Sequence, residues 1–272
     1  MSIAAARDRF LADLADRPLV MGILNVTPDS FSDGGQHDAP EAAMAHARAM
    51  IADGADVIDL GGESTRPGSQ PVGTEDEIAR VVPVLERLRA ETEVPVSIDT
   101  YKAATARAAV AAGACIVNDV WGLQHDPEMA DAVAETGAAV IIMHNRGTTD
   151  PEIDILADLE RFFGHSLDLA RRAGIPAGHI LLDPGIGFGK TLEQNIACLN
   201  GLDWLGSYGH PVLLGLSRKR MFGDLLGRPV DRRLAGTLAA NLAGIARGVR
   251  VIRVHDVAEH ADALKVLRAL GA

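Results

Sequence analysis

Cysteine is scarce in this chain. Cys115 and Cys198 are the only two, and no His or Cys partner stands at metal-knuckle or redox spacing from either. A zinc site or disulfide framework is therefore excluded, and both thiols read as small buried hydrophobes in a reducing compartment. Long apolar runs are also missing: none approaches the ~20 residues that a membrane-spanning helix needs. The N-terminal segment MSIAAARDRFLADLADRP carries charges throughout and has no apolar stretch of the secretory type. There is no excess of positive charge. The formal net charge is -11, which argues against a nucleic-acid surface but leaves room for a locally basic cleft. Pro- or Ser-rich linkers and low-complexity tracts are absent as well. These absences point to a cytoplasmic protein with neither membrane nor nucleic-acid partners. The 272 residues, 47% hydrophobic and 23% charged, are expected to form one domain, 1–272, with a large core.

What the chain does have is a set of eight short apolar runs, each closing on polar residues: Leu19–Val26, Val57–Gly62, Val96–Thr100, Cys115–Val120, Ala138–His144, Ile180–Gly187, Pro211–Ser217 and Val251–Val257. Continuous Val/Ile/Leu runs are the mark of parallel strands buried on both faces. At or near their C-terminal ends stand Asn25, Glu63, Asp99, Asn118, His144, Asp183, Ser217 with Lys219, and Arg253 with His255. Alanine-rich segments of helical period lie between them: Ala39–Ile51, Thr74–Ala90, Lys102–Ala112, Pro127–Glu135, Glu152–Arg172, Leu192–Leu202, Asp231–Ala246 and Ala258–Leu270. Several helices pass through a glycine straight into the next strand, as in TGAAVIIMH and RGVRVIRVH. Strand alternating with helix from end to end predicts an α/β fold, a single (β/α)8 TIM barrel with an extra N-terminal helix closing its lower end. The polar strand ends would then share the face where active sites of such barrels lie.

Two loops on that face are rich in turn residues, NVTPDSFSDGG (Asn25 to Gly35) and GGESTRPGS (Gly61 to Ser69). An aromatic inside the first, Phe31, suits a lid over a flat ligand. Arg66 beside Thr65 in the second suits a phosphate, through a guanidinium fork and a hydroxyl donor. Asp99 and Asp183 close buried strands, where a carboxylate is costly unless it is paired or faces a ligand. Either alone could serve a neighbouring Arg or Lys. With Asn118 and Lys219 they supply acceptors, an amide and a cation, an array suited to a 2-amino-4-oxo pyrimidine. Arg218, Lys219, Arg220, Arg253 and His255 add positive charge. Arg253 and His255, two apart on a strand, should share a face and with Arg66 form a diphosphate pocket, unless they balance nearby acids. Glu63 and His144 could simply hold loops, and Asp59, Asp119 and Asp256 are open to either reading. GIGFGKT imitates a phosphate-binding loop, but Pro184 stands where that motif needs its first glycine, and Lys190 where a dinucleotide fingerprint needs its last. Its glycines would instead let the backbone approach a planar ligand, with Phe188 nearby.

In order along the chain, NVTPDSFSDGG, GGESTRPG, SIDT, VNDV, DPGIGFGKT, GLSRK and IRVHDV closely resemble the motifs of bacterial dihydropteroate synthases, from about Val20 to the C-terminal helix. The resemblance implies a (β/α)8 barrel that joins 6-hydroxymethyl-7,8-dihydropterin diphosphate to 4-aminobenzoate in folate biosynthesis. It implies that Asp99, Asn118, Asp183 and Lys219 hold the pterin, with Met143, Phe188 and Gly215 lining its slot and Arg253 stacked on its plane. Asn25 would bind Mg2+, and Asn25, Thr65, Arg66, Arg253 and His255 would hold the diphosphate. Phe31, Pro67, Lys219 and Arg220 would form the aminobenzoate pocket, while Asp33, on the closing loop with Phe31, would join Asp99, Asp183 and Lys219 as catalytic groups. A homodimer is implied too. Two departures stand out: Arg220 follows the SRK lysine where many relatives have Ser, and MHNRG replaces the MHMQG of some. Two pterin-related rivals, a methyltransferase serving a corrinoid protein and a catalytically dead pterin-binding module, should lack the TPDSFSDGG loop or the SRK and RVHDV cations. An unrelated metal-dependent hydrolase would need His/Asp clusters that the chain does not have.

Overall fold

The computed structural model describes residues 2–26, 39–64 and 70–271. Eight parallel strands close into a barrel in sequence order: β1 (Leu19–Asn25), β2 (Val57–Gly61), β3 (Val96–Asp99), β4 (Ile116–Asp119), β5 (Ala139–Met143), β6 (Ile180–Asp183), β7 (Val212–Leu214) and β8 (Val249–Val254). Around them run α1 (Ile3–Asp16), α2 (Ala39–Ala52), α3 (Thr74–Glu91), α4 (Ala103–Ala112), α5 (Met129–Thr136), α6 (Ile155–Ala173), α7 (Leu192–Asn200), α8 (Leu202–Gly206), α9 (Arg220–Leu226), α10 (Leu234–Ile245) and α11 (Val257–Ala269). Local chemistry sets their limits. Asp154 caps α6 by accepting from the Leu156 and Ala157 amides at 3.0 and 3.2 Å. At the far end of α5, Gly137 takes the left-handed conformation (φ 68°) and donates to Val133 O before the chain turns into β5.

Strand alternation divides the core in two. Val20, Leu24, Ile58, Leu60, Ile98, Val117, Val140, Ile142, Leu182, Leu214 and Ile252 face outward and pack under the helices. Leu19, Met21, Val57, Ile116, Ala139, Ile141, Leu181, Leu213 and Val251 face inward and fill the barrel, with Phe10 and Leu14 of α1 packed against them from below. The extra N-terminal helix thus plugs the barrel, as expected. Continued upward, the same inward series reaches Asn25, Asp59, Asp99, Asn118, Met143, Asp183, Gly215 and Arg253. Register brings several of these side by side: Asp99 opposite Asn118, Met143 opposite Asp183. Apolar layers below and polar groups above are two halves of one alternating pattern.

Several boundaries differ from the sequence reading. β8 begins at Val249 and ends at Val254, so His255 lies one residue beyond the strand, while Val257 opens α11. β6 stops at Asp183 because positive φ angles at Gly185 and Gly187 turn the chain out of the sheet. β7 keeps only three residues and carries a register shift at Val212/Leu213. Gly201 splits the expected Leu192–Leu202 helix into α7 and α8, and α9, which lacks a sequence period long enough to read, follows β7.

Candidate functional site

Arg253 is the centre of the polar cluster above the apolar layers. Its Nε donates to Asp59 at 2.6 Å and its terminal nitrogen to Asp99 at 2.7 Å. Asn118 donates to the same oxygen of Asp59 at 3.2 Å. Asp59 is fully buried and Asp99 is 4% exposed. Burying such a group is repaid only when its charges and hydrogen bonds are met. Here they are met in part: Asp59 Oδ1, Ser97 Oγ and Asp99 Oδ1 are buried with no partner among the described residues. Burial drives the Asp99 carboxyl up to about 7, against the pull of Arg253.

Opposite this bridge, Asp183 is 3% exposed, and one of its oxygens accepts from the Gly185 amide at 2.7 Å. Burial raises its pKa as well, with Lys219 opposing. Gly215 leaves the space between them open: a Cβ there would lie 3.5 Å from Asp183 Oδ2 and 3.9 Å from Arg253 Cδ. Lys219 donates to Ile186 O, and its ammonium stands 4.3 Å from the centre of the Phe188 ring. Burial pushes that amine down to about 7, with Asp183 opposing the shift. Arg218, immediately before it, holds a left-handed φ of 56° that only glycine adopts freely. The turn is fixed from outside: Arg218 pairs with Asp256 (Nε to Oδ2, 2.9 Å), its N–H donates to Thr237 at 3.2 Å, and Arg233 donates to its carbonyl at 3.1 Å. That turn aims Lys219 toward Asp183.

Asp99, Asn118, Asp183, Lys219, Arg253, Phe188, Met143 and Gly215 are therefore gathered at one end of the barrel. Asn25 joins them, half-buried on β1, its Oδ1 3.3 Å from where a Gly61 Cβ would sit. His255 lies beside β7's end, Nδ1 3.0 Å from Ser217 Oγ. Arg220 is not brought in: its side chain is 90% exposed on α9, 3.5 Å from Asp224. Phe31, Asp33, Thr65, Arg66 and Pro67 lie outside the described residues. The first glycine after β6 serves the packing of the loop itself. At Gly185 (φ 64°) a Cβ would come within 1.8 Å of the His144 carbonyl oxygen, so the close approach is to the neighbouring loop's backbone.

The open cases divide. Asp119 caps its own loop, accepting from the Trp121 and Leu123 amides, and Asp256 serves Arg218. Glu63 accepts from the Tyr101 hydroxyl at 2.7 Å and pairs with Lys102, tying the β2 and β3 ends together. Asp59 alone belongs to the cluster. Its signal was parity: two residues before Gly61 in VIDLGG, it falls on the inward face, where a packing role leaves no place for a carboxylate. A cavity at the other end of the barrel, lined by Asp16, Arg17, Leu264 and Arg268 among others, holds none of these groups.

A family model for pterin binding enzymes matches residues 21–255 of the chain. The chain belongs to the dihydropteroate synthase family. Dihydropteroate synthase of Bacillus subtilis is 48% identical over 255 residues, covering 94% of this chain and 89% of the relative. A solved structure of the Xanthomonas albilineans dihydropteroate synthase with 4-aminobenzoic acid is 50% identical, covers 94% of each chain and superposes with a TM-score of 0.91. The Clostridium difficile dihydropteroate synthase, solved in the presence of pteroic acid, is 47% identical with a TM-score of 0.90, covering 93% of this chain and 97% of that one.

Proposed function

We propose that this chain is a dihydropteroate synthase, condensing 6-hydroxymethyl-7,8-dihydropterin diphosphate with 4-aminobenzoate to 7,8-dihydropteroate and diphosphate. One observation carries the reading: buried carboxylates on β2, β3 and β6 surround an open space with acceptors left unmet, beside two cations. Unmet buried acceptors are a standing cost, and the N–H groups of a 2-amino-4-oxo pterin are the donors that would offset it. Asp99, Asp183 and Asn118 would read the ring edge, Lys219 its carbonyl, and Met143, Gly215 and Phe188 would bound the slot. Arg253, already anchored by two carboxylates, offers a flat guanidinium for the ring plane.

In the reaction the methylene C–O bond breaks and its electron pair leaves with diphosphate. The electron-rich dihydropterin ring delocalises the positive charge, which Asp99 and Asp183 favour in a site of low dielectric. The amine of 4-aminobenzoate attacks the methylene through nitrogen and then loses a proton. An aromatic amine is neutral at pH 7, so no strong general base is required. Thr65, Arg66 and His255 would hold the diphosphate, Phe31, Pro67 and Lys219 the aminobenzoate, and Asp33 the closed loop. Asn25 would offer Mg2+ its side-chain oxygen, and among the described residues no group of three His, Cys, Asp or Glu side chains could hold a metal ion. That suits an ion which takes its other ligands from substrate phosphates and water. Bound there, it would neutralise charge developing on the leaving diphosphate.

A homodimer is part of the proposal; Leu225 and Val230, 57% and 58% exposed near α9, are apolar surface that a partner could cover. No helix of the described residues is long and apolar enough to cross a membrane, and the free buried thiols of Cys115 and Cys198 agree with a cytoplasmic location. Incubating the protein with dihydropterin diphosphate, Mg2+ and 4-aminobenzoate should yield equal amounts of dihydropteroate and diphosphate. Pterin binding without product would instead mark a binding module.

A further inference from the structure

The reaction as derived leaves one buried cation unused. Lys190, 8% exposed, stands on the outer side of the loop between β6 and α7. Its ammonium donates to Gly185 O at 2.8 Å and to Phe188 O at 3.2 Å, and it lies 2.8 Å from His144 Nδ1. An ammonium has three hydrogens and no lone pair, so Nδ1 must be the acceptor and the ring proton must sit on Nε2. Nε2 faces Asp158 Oδ2 at 3.2 Å, and Arg146 holds that same oxygen at 2.5 Å. His144 is fully buried, and burial together with Lys190 holds its pKa down near 3, in keeping with a neutral ring.

The loop that Lys190 grips is the one that meets Lys219. Gly185 O and Phe188 O, the two carbonyls it binds, bracket Ile186, whose carbonyl accepts from Lys219, and Phe188 is the ring beneath the Lys219 ammonium. We propose that Lys190 is a positioning residue for the reaction: anchored by His144 and Asp158, it sets the 184–190 loop so that Ile186 and Phe188 fix the place of Lys219. The proposal rests on the functional reading above only for the consequence on turnover. Its geometric part stands apart from that reading.

The test exploits the chain's composition, for it has four lysines: Lys102, Lys190, Lys219 and Lys265. With 13C at the lysine ε carbons, each gives its own NMR signal, assigned through Lys190→Met, Lys219→Arg and Lys265→Arg, with Lys102 by elimination. In Lys190→Met the Lys219 signal should move while Lys102, tied to Glu63 and Glu77 at another part of the rim, keeps its position and certifies the fold. Turnover should then lose roughly tenfold or more in kcat/KM at an assay temperature below melting. Two changes at His144 separate positioning from mere packing. His144→Asn places an acceptor near the Nδ1 position and should retain the wild-type Lys219 signal and most of the activity. His144→Gln reaches toward Nε2 instead and should behave like Lys190→Met. A Lys219 signal unmoved by Lys190→Met, or equal effects of Asn and Gln at position 144, would overturn the proposal. Absence of dihydropteroate from the wild type would sink the functional reading while leaving the NMR comparison to decide the clamp.

Discussion

Asp99, Asp183 and Lys219 each have a pKa displaced by burial in the direction that disfavours charge, and the pH dependence of turnover follows from that. The carboxylates offer a full set of acceptors and the negative charge that favours the pterin cation only when ionised, so their raised pKa values place the acid limb of kcat/KM nearer neutrality than the ~4 of an ordinary carboxylate. Lys219 works as a cation, and its lowered pKa puts the basic limb well below the 10.5 of an ordinary lysine. A narrow bell in kcat/KM is expected, and Lys219→Arg should remove its basic limb while lowering its height. A profile flat between pH 6 and 9 would contradict these roles. The Asp59–Arg253–Asp99 bridge makes a separate prediction on stability. Arg253→Met strands two buried carboxylates beside each other, and urea titration should report a loss of about 3–5 kcal/mol. Arg253→Met combined with Asp59→Asn should recover part of that loss; strict additivity would mean the bridge is not the unit drawn here.

At the scale of elements, the strand and helix order was legible because buried parallel strands and amphipathic helices leave different periods in the sequence. The ends of elements were less so. His255 was read as strand because IRVHDV continues the apolar rhythm, yet β8 stops at Val254, where hydrogen bonding to β1 ends. The turn at Arg218 left no trace at all, since a left-handed arginine is secured by Asp256, Thr237 and Arg233 from distant parts of the chain. Asp59 was legible by parity and left undecided, because a lone carboxylate in a strand does not name its partner until β8 is placed next to β1. The loop after β6 shows how a glycine reads differently once its neighbour is known. Gly185→Ala would drive a Cβ into His144 O from a backbone angle unsuited to it. The expected cost is about 3 kcal/mol or more, with kcat/KM falling in step, measured by thermal melting and initial rates. A variant as stable and active as wild type would mean that the loop moves freely past β5.

For the whole molecule, the barrel separates tasks along its axis. The lower layers and the α1 plug supply apolar burial, while the upper layer stores carboxylates and cations whose cost those layers offset. His144 ties this division to pH. It is neutral in the folded state, with a pKa lowered from 6.5 to about 3 by burial and by Lys190, with Arg146 adding to and Asp158 opposing the shift. The unfolded chain binds the proton that the folded chain refuses, so the contribution is full above pH 6.5 and drains away as pH falls toward 3. Between pH 6.5 and 5 the loss is about 2 kcal/mol, and His144→Asn should flatten that part of the stability curve. The central claim is that inward-facing residues of separate strands make one pterin pocket at the barrel's upper end. The most direct measurement is a titration of wild type, Asp183→Ala and Arg220→Ala with 6-hydroxymethylpterin, followed by calorimetry. The account predicts that Asp183→Ala weakens binding by at least about tenfold while Arg220→Ala, on the solvent side of α9, leaves it unchanged; equal affinity in wild type and Asp183→Ala would contradict it.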